Sequence, residues 1–159
     1  MVKEEDGIRV ELTYDPLDVA AIVGRVKDPK AGAVVLFAGT TRDNFESKPV
    51  ERLEYSAYAA LALNTMLAIA RRAKGAHGLR AVAMVHRLGV VPVGAESVLI
   101  AVSAPHRRAA WRAGEEALEA CKAEVEIWKR EEFGGEGGGV WRANRDGAAG
   151  ATVDDSTAA

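Results

Sequence analysis

In Ser97-Val-Leu-Ile-Ala-Val-Ser103-Ala-Pro-His106-Arg-Arg-Ala-Ala110, an apolar run of strand length leads directly into a helical pattern, and this order is the main sequence signal for the fold class. Residues 97–103 predict a buried strand. Ser103 has the residue type of a helix N-cap, and the helix is predicted to extend to about Glu124. Small residues recur along it at spacings of three to four, namely Ala110, Ala113, Ala117 and Cys121. This stripe predicts a helix that can pack closely against its neighbour.

The chain upstream of this stretch alternates between strand and helix patterns. Residues 8–14 alternate apolar and polar types, which predicts a half-buried strand, and Asp15-Pro16 then predicts the start of a short helix to about Val26. The apolar run at 33–38 predicts a buried strand, followed by a polar loop at 40–44. A partner strand is predicted around Leu53 and Tyr55, then a helix over residues 59–74 with Gly75 as its stop.

The remaining elements are mostly strands. Residues 79–91 predict a strand, Pro92-Val93-Gly94 a turn, and residues 127–133 and 140–142 two last strands. The resulting order, β-α-β-β-α-β-β-α-β-β, predicts a single α+β domain in which helices pack on a mostly antiparallel sheet.

Length and charge exclude several classes of protein. A chain of 159 residues suits one domain, and 21 Lys+Arg against 23 Asp+Glu argue against bulk binding to nucleic acid or to an anionic membrane. No apolar run reaches the roughly 20 residues of a membrane span. The start is too acidic and polar for a secretory signal, so a cytoplasmic protein is expected. Residues 1–7 are predicted to be a flexible N terminus, and residues 147–159 a disordered tail.

Metal and disulfide chemistry are not expected. The single Cys121 excludes an internal disulfide and argues against a thiolate zinc site, and the three histidines are scattered. The glycine cluster at 134–139 permits a phosphate-binding loop, but no Gly-Lys-Ser/Thr follows and no helix is predicted to begin there. A mobile connection between two strands is the favoured interpretation.

Two lysines and one cationic cluster are candidates for a site. Lys122 and Lys129 lie on either side of the last helix-to-strand junction. A lysine amine is either a solvated surface charge or, where burial or a second cation perturbs it, a base or nucleophile. His106, Arg107 and Arg108 place cations at a helix N-terminus, which costs stability unless an anion neutralises them. Both an anion site and a solvated or internally paired cluster remain open.

The length of the predicted helix places the cationic cluster at its start far from Lys122 at its end. His106 and Lys122 are 16 residues apart, so along one helix they lie about 24 Å from each other. One small substrate cannot touch both in a single chain. If both serve one site, that site is built across the two-fold interface of a homodimer.

Four motifs in this order carry a family resemblance: Phe37-Ala-Gly39-Thr-Thr-Arg42, Val85-His86-Arg87-Leu88-Gly89, Ser103-Ala-Pro-His106-Arg107, and Lys122 followed by Lys129-Arg130-Glu131. Residues 8–146 resemble the large, catalytic subunit of molybdopterin synthase. The resemblance implies an α/β hammerhead-like fold and no cofactor. It also implies a reaction in which two sulfur atoms are inserted into cyclic pyranopterin monophosphate to form the dithiolene of molybdopterin. The resemblance further implies that the sulfur donor is the C-terminal thiocarboxylate of a small ubiquitin-like subunit, and that two such subunits flank a central homodimer in a heterotetramer.

The resemblance also implies site residues. Lys122 and Lys129 would be catalytic, with Lys122 as general base or transient acceptor of the partner's acyl group and Lys129 assisting it or stabilising an oxyanion. The residues implied to bind substrate or shape its pocket are Thr40, Thr41, Arg42, Arg130, Glu131 and, from the neighbouring subunit, His106 and Arg107. Trp128 is either a stacking surface for the pterin or a packed tryptophan, and packing is favoured.

The sequence departs from the family pattern at Glu126, where many relatives have proline, and in the glycine-rich 134–139 segment. Two alternatives to the synthase remain. One is a non-catalytic module that binds a ubiquitin-like protein. The other is a sulfurtransferase that carries a persulfide on Cys121, although alanine and leucine neighbours favour an inert thiol.

Overall fold

Two β-sheets and three helices form the fold in the computed structural model, which describes residues 1–134 and 139–144. The strands are β1 (Val2–Glu5), β2 (Ile8–Thr13), β3 (Ala33–Thr40), β4 (Asn44–Phe45), β5 (Lys48–Ala57), β6 (Ala81–Arg87), β7 (Gly89–Pro92), β8 (Glu96–Ala104), β9 (Ile127–Phe133) and β10 (Trp141–Ala143). The helices are α1 (Val19–Val26), α2 (Ala59–His77) and α3 (Arg107–Glu124). The predicted α+β class is confirmed.

The first sheet has the order β1-β2-β6-β8-β3, and its only parallel pair among the described residues is β2 with β6. Helices cover both of its faces. Met84 and Ile100 pack in one core together with residues of α2 and α3. Their strand neighbours Val85 and Leu99 pack in a second core with Ile22 of α1. Burial on both faces explains why β6 and β8 read as continuous apolar runs.

The small-residue stripe of α3 packs against the first sheet, as predicted. Ala110, Ala113 and Ala117 are almost completely buried. A Cβ added to Gly114 would lie 3.2 Å from Cγ1 of Val35 on β3. The helix therefore lies close to the sheet because its packed face carries almost no side-chain volume.

The second sheet has the order β10-β9-β5-β4, and β7 also pairs with β5. The predicted strand at 79–91 is therefore two strands in different sheets. Gly89 has φ +74°, and this left-handed residue turns the chain from β6 in the first sheet to β7 in the second. The single predicted sheet is thus two sheets, joined where the chain bends.

Three predicted helix boundaries are corrected by the structure. Ser103 does not cap α3, because it lies within β8 and its Oγ accepts a hydrogen bond from the N–H of Ala81 at 3.1 Å. Asp18, and not Asp15, caps α1 by accepting from the N–H of Ala21 at 2.9 Å. The helix predicted to stop at Gly75 continues to His77, and Gly78 at φ +60° ends it.

The predicted flexible N terminus at 1–7 is instead largely a strand. Residues of β1 pair antiparallel with β2, and the terminal ammonium donates to the carbonyl of Leu12 at 2.9 Å. The predicted disordered tail at 147–159 and the middle of the glycine segment, 135–138, lie outside the described residues. Within the part that is described, no helix is long and apolar enough to cross a membrane.

Candidate active site

A cavity of about 160 Å³ opens where the two sheets meet the C-terminal end of α3. The first sheet contributes the end of β3, the second contributes β5 and β9, and α3 contributes its last turns. Five of the predicted site residues line this cavity: Thr40, Arg42, Lys122, Lys129 and Glu131. The structure therefore brings together residues from two separate motifs.

The geometry of strand β9 explains why Lys129 and Glu131 both line this cavity. Lys129 and Glu131 are two residues apart on β9, so their side chains project from the same face. Lys129 Nζ lies 3.3 Å from Glu131 Oε1, and the carboxylate side chain is only 4% exposed. A buried carboxylate beside an ammonium orients it and neutralises part of its charge.

Lys122 enters from the last turn of α3, where a cation is favourable because it complements the negative end of the helix dipole. Arg42 follows β3 and lines the same cavity. Three cations and one carboxylate thus face a small space, an arrangement suited to an anionic substrate or to negative charge that develops during a reaction.

Cys121 is next to Lys122 in the sequence, but its thiol is not a reactive group. Cys121 is 6% exposed, and burial raises its pKa to about 12 despite the opposing charge of Lys122. The thiolate is the nucleophilic form of cysteine, so this thiol is poorly suited to carry a persulfide. The Cys121-dependent alternative is accordingly disfavoured.

His86 is a cavity residue that was not among the predicted site residues. Burial lowers its pKa to about 4, so the ring is neutral at pH 7. Its Nδ1–H donates to the carbonyl of Arg87 at 2.8 Å, which leaves Nε2 as an acceptor 3.4 Å from the Asn144 side-chain amide nitrogen. The ring also meets that of Tyr55 edge-on, with 4.9 Å between centroids. The sequence signal that could have identified His86 as a site residue was its position in the Val85-His86-Arg87 motif at a strand end.

Four predicted site residues do not line the cavity, and two of them, Arg130 and Thr41, lie next to lining residues in the sequence. Arg130 alternates with Lys129 on β9 and projects from the opposite face, where it pairs with Glu54 at 2.6 Å and Glu132 at 2.7 Å. Its guanidinium also lies 5.1 Å from the Trp141 ring centroid. Arg130 therefore belongs to an ion-pair cluster behind the cavity.

Thr41 is the second of these residues. It is 3% exposed, its N–H donates to the carbonyl of Ala95, and its own carbonyl accepts from Gly94. These bonds hold the loop that carries Arg42. Trp128 alternates with Lys129 as Arg130 does; it is half-buried and is not among the residues that line the cavity.

His106 and Arg107 lie at the opposite end of α3 from Lys122. They line a second, open cavity together with Gly32, Pro105, Arg108, Trp111 and Arg112. The two cavities share no lining residue. Within one chain the structure thus keeps these two groups apart, as helix length predicted.

The chain is similar to proteins of one family. Residues 12–124 match the family model described as MoaE protein. The molybdopterin synthase catalytic subunit of Neurospora crassa is 68% identical over 151 residues, which cover 95% of this chain and 73% of that protein. The subunit of the same name from Sclerotinia sclerotiorum is 60% identical over 151 residues, or 95% of this chain and 77% of that protein. The crystal structure of molybdopterin synthase from Staphylococcus aureus superposes with a TM-score of 0.77 at 34% identity, covering 82% of this chain and 94% of that chain.

Proposed function

The chain belongs to the MoaE protein family, and we therefore propose that it catalyses sulfur transfer to cyclic pyranopterin monophosphate, which forms the dithiolene of molybdopterin. It is a sulfurtransferase of molybdenum cofactor biosynthesis. The sulfur donor is the C-terminal thiocarboxylate of a small ubiquitin-like subunit.

One observation carries the proposal: Arg42, Lys122 and Lys129 converge on one cavity whose described lining includes one buried carboxylate, Glu131. Both reactants are anionic, since the substrate bears a cyclic phosphate and the donor a thiocarboxylate. A cavity with excess positive charge binds such reactants, and it also stabilises the oxyanion that forms when the thiocarboxylate carbon is attacked.

Each residue has a role in this scheme. Lys122 is the general base or the transient acceptor of the partner's acyl group. Lys129, oriented by Glu131 at 3.3 Å, stabilises the oxyanion. Arg42 binds the phosphate, with Thr40 beside it in the cavity wall and Thr41 holding the loop. Arg130 supports β9 from its other face.

The homodimer completes the site. His106 and Arg107 enter the cavity of the neighbouring subunit, so that the open cavity at the start of α3 faces the end of the partner's α3. This proposal is supported by the separation of the two cavities in one chain. With one small subunit at each end, the assembly is a heterotetramer, and its cytoplasmic location remains a prediction.

Reconstitution tests the function directly. The chain is mixed with thiocarboxylated small subunit and cyclic pyranopterin monophosphate, and molybdopterin is measured. Lys122→Ala and Lys129→Ala should each abolish most product while the fold is retained. Lys27→Ala, which removes an exposed lysine outside the cavity, is the matched control.

The same assay separates the alternatives. A non-catalytic binding module predicts that neither lysine variant changes function. A persulfide mechanism predicts that Cys121→Ser abolishes it. Absence of product from folded, associated wild-type subunits would refute the synthase proposal.

A further inference from the structure

Two cations of the second sheet lie directly opposite each other. In the antiparallel pairing of β9 with β10, Arg142 is the register partner of Lys129. Like charges in this position repel and destabilise a strand pair. Some compensating group is therefore expected near them, and Glu131 supplies one for Lys129.

A second compensating group is the ring of Phe45. Lys129 Nζ lies 5.8 Å from the ring centroid, and Cζ of Arg142 lies 5.6 Å from it. Both distances fall within the roughly 6 Å over which an aromatic ring attracts a cation. Phe45 also lines the cavity, although it was not among the predicted site residues.

The backbone holds Phe45 in place. Phe45 pairs with Lys48 across a two-residue turn, Glu46-Ser47, and both turn residues have positive φ, 49° and 64°. These values are typical of a type I′ hairpin, whose twist matches that of its strands. The N–H of Val50 also donates to the carbonyl of Asp43 at 2.8 Å. The hairpin thus carries the ring to the cavity from β4.

We propose that Phe45 is a positioning residue for sulfur transfer, because its ring holds the Lys129 ammonium beside Glu131 and facing the cavity. The inference rests on the proposed catalytic role of Lys129. A lysine ammonium sits on a flexible four-carbon stem, so one carboxylate leaves much of its motion unrestricted. The ring adds a second, directional attraction. Since the Lys129 side chain is only 20% exposed, water competes weakly with this attraction.

A fluorination series at Phe45 tests the electrostatic part of this proposal. Phenylalanine analogues with one, two and three ring fluorines keep the ring shape while progressively weakening the negative potential of its face. We expect kcat for molybdopterin formation to fall stepwise, by up to about tenfold at three fluorines, with a smaller change in KM. Phe45→Leu should lose at least as much activity, and Phe45→Trp should retain most of it.

The chain offers a matched control. Lys48 Nζ lies 5.8 Å from the Phe133 ring centroid, the same distance as in the Lys129–Phe45 pair, and neither residue lines the cavity. The same analogues at Phe133 should leave kcat unchanged. A flat response at Phe45, or an equal response at Phe133, would overturn the proposal.

A second measurement does not depend on activity. The Lys129 ε-methylene protons near the Phe45 ring should show a ring-current shift in NMR spectra of the wild-type chain, and Phe45→Leu should abolish it. An unchanged resonance overturns the positioning role. If the shift is present but Lys129→Ala retains full activity, the ring does position the lysine, and it is the catalytic assignment under the proposed function that fails.

Discussion

Acid should destabilise this protein through His86, and His86→Gln isolates the effect. Glutamine keeps a hydrogen-bonding side chain but cannot titrate. Burial holds the folded-state pKa of His86 at about 4, below its ordinary value of 6.5. The folded state therefore binds fewer protons than the unfolded state between these two values. The stabilising contribution is fully present above pH 6.5 and is lost as the pH falls toward 4.

The magnitude follows from the two pKa values. Each pH unit between them lowers the free energy of unfolding by about 1.4 kcal/mol, so the contribution of His86 falls by roughly 2 kcal/mol between pH 7 and pH 5. His86→Gln will also lower stability by a constant amount at every pH, because it replaces a ring that contacts Tyr55 and Asn144. Only the difference in pH dependence between the wild-type chain and His86→Gln reports the titration of His86.

Urea unfolding followed by tryptophan fluorescence at pH 7, 6 and 5 supplies the measurement. The wild-type chain should lose about 2 kcal/mol more stability over this range than His86→Gln. Met84→Leu, a buried substitution on the same strand that introduces no titrating group, should keep the wild-type pH dependence. Parallel curves of unfolding free energy against pH for wild type and His86→Gln would show that His86 does not titrate between these pH values.

Three further predictions concern stability and thiol chemistry. Cys121→Ser should retain synthase activity. The thiol of Cys121 should react with an alkylating reagent at pH 8 on the order of a thousandfold more slowly in the native protein than in urea, because burial raises its pKa to about 12. Rapid labelling of the native protein would contradict this. Ser47→Gly should raise the free energy of unfolding by a few tenths of a kcal/mol to about 1 kcal/mol, since glycine adopts the observed φ of 64° without steric cost. A lower urea midpoint for this variant would contradict the prediction. Gly32→Ala should lower the free energy of unfolding by about 1–3 kcal/mol in thermal unfolding, since the added Cβ would lie 2.5 Å from the backbone oxygen of Pro105. Gly24→Ala is the control, because a Cβ at that position would meet open space.

Local patterns were sufficient for most elements of the fold. The strand at residues 127–133 matches β9 at both ends, and the small-residue stripe of α3 packs on the sheet as expected. Both depend on side-chain period and size, which are properties of neighbouring residues. The turn around Gly89 was missed because an apolar run looks the same whether its residues stay in one sheet or pass into a second.

The candidate site was predictable only in part. The motif resemblance selected Arg42, Lys122, Lys129 and Glu131, and the structure brings them to one cavity. It also grouped Arg130 with Lys129, although period-two alternation on β9 sends Arg130 to the other face. The resemblance placed the consecutive residues Lys129 and Arg130 in the same site. On a strand, consecutive side chains project from opposite faces, so only one of the two can line the cavity.

The fold class, the family and the separation of His106 from Lys122 were all predictable from the sequence, because period, motif order and helix rise depend only on positions along the chain. The burial and neutrality of His86, and the contact of Phe45 with Lys129, became visible only in the folded chain. Those facts depend on strand order and on how two sheets meet at the end of α3. Phe45 and Lys129 are 84 positions apart in the sequence, so their contact arises from packing, which no short stretch of sequence encodes alone.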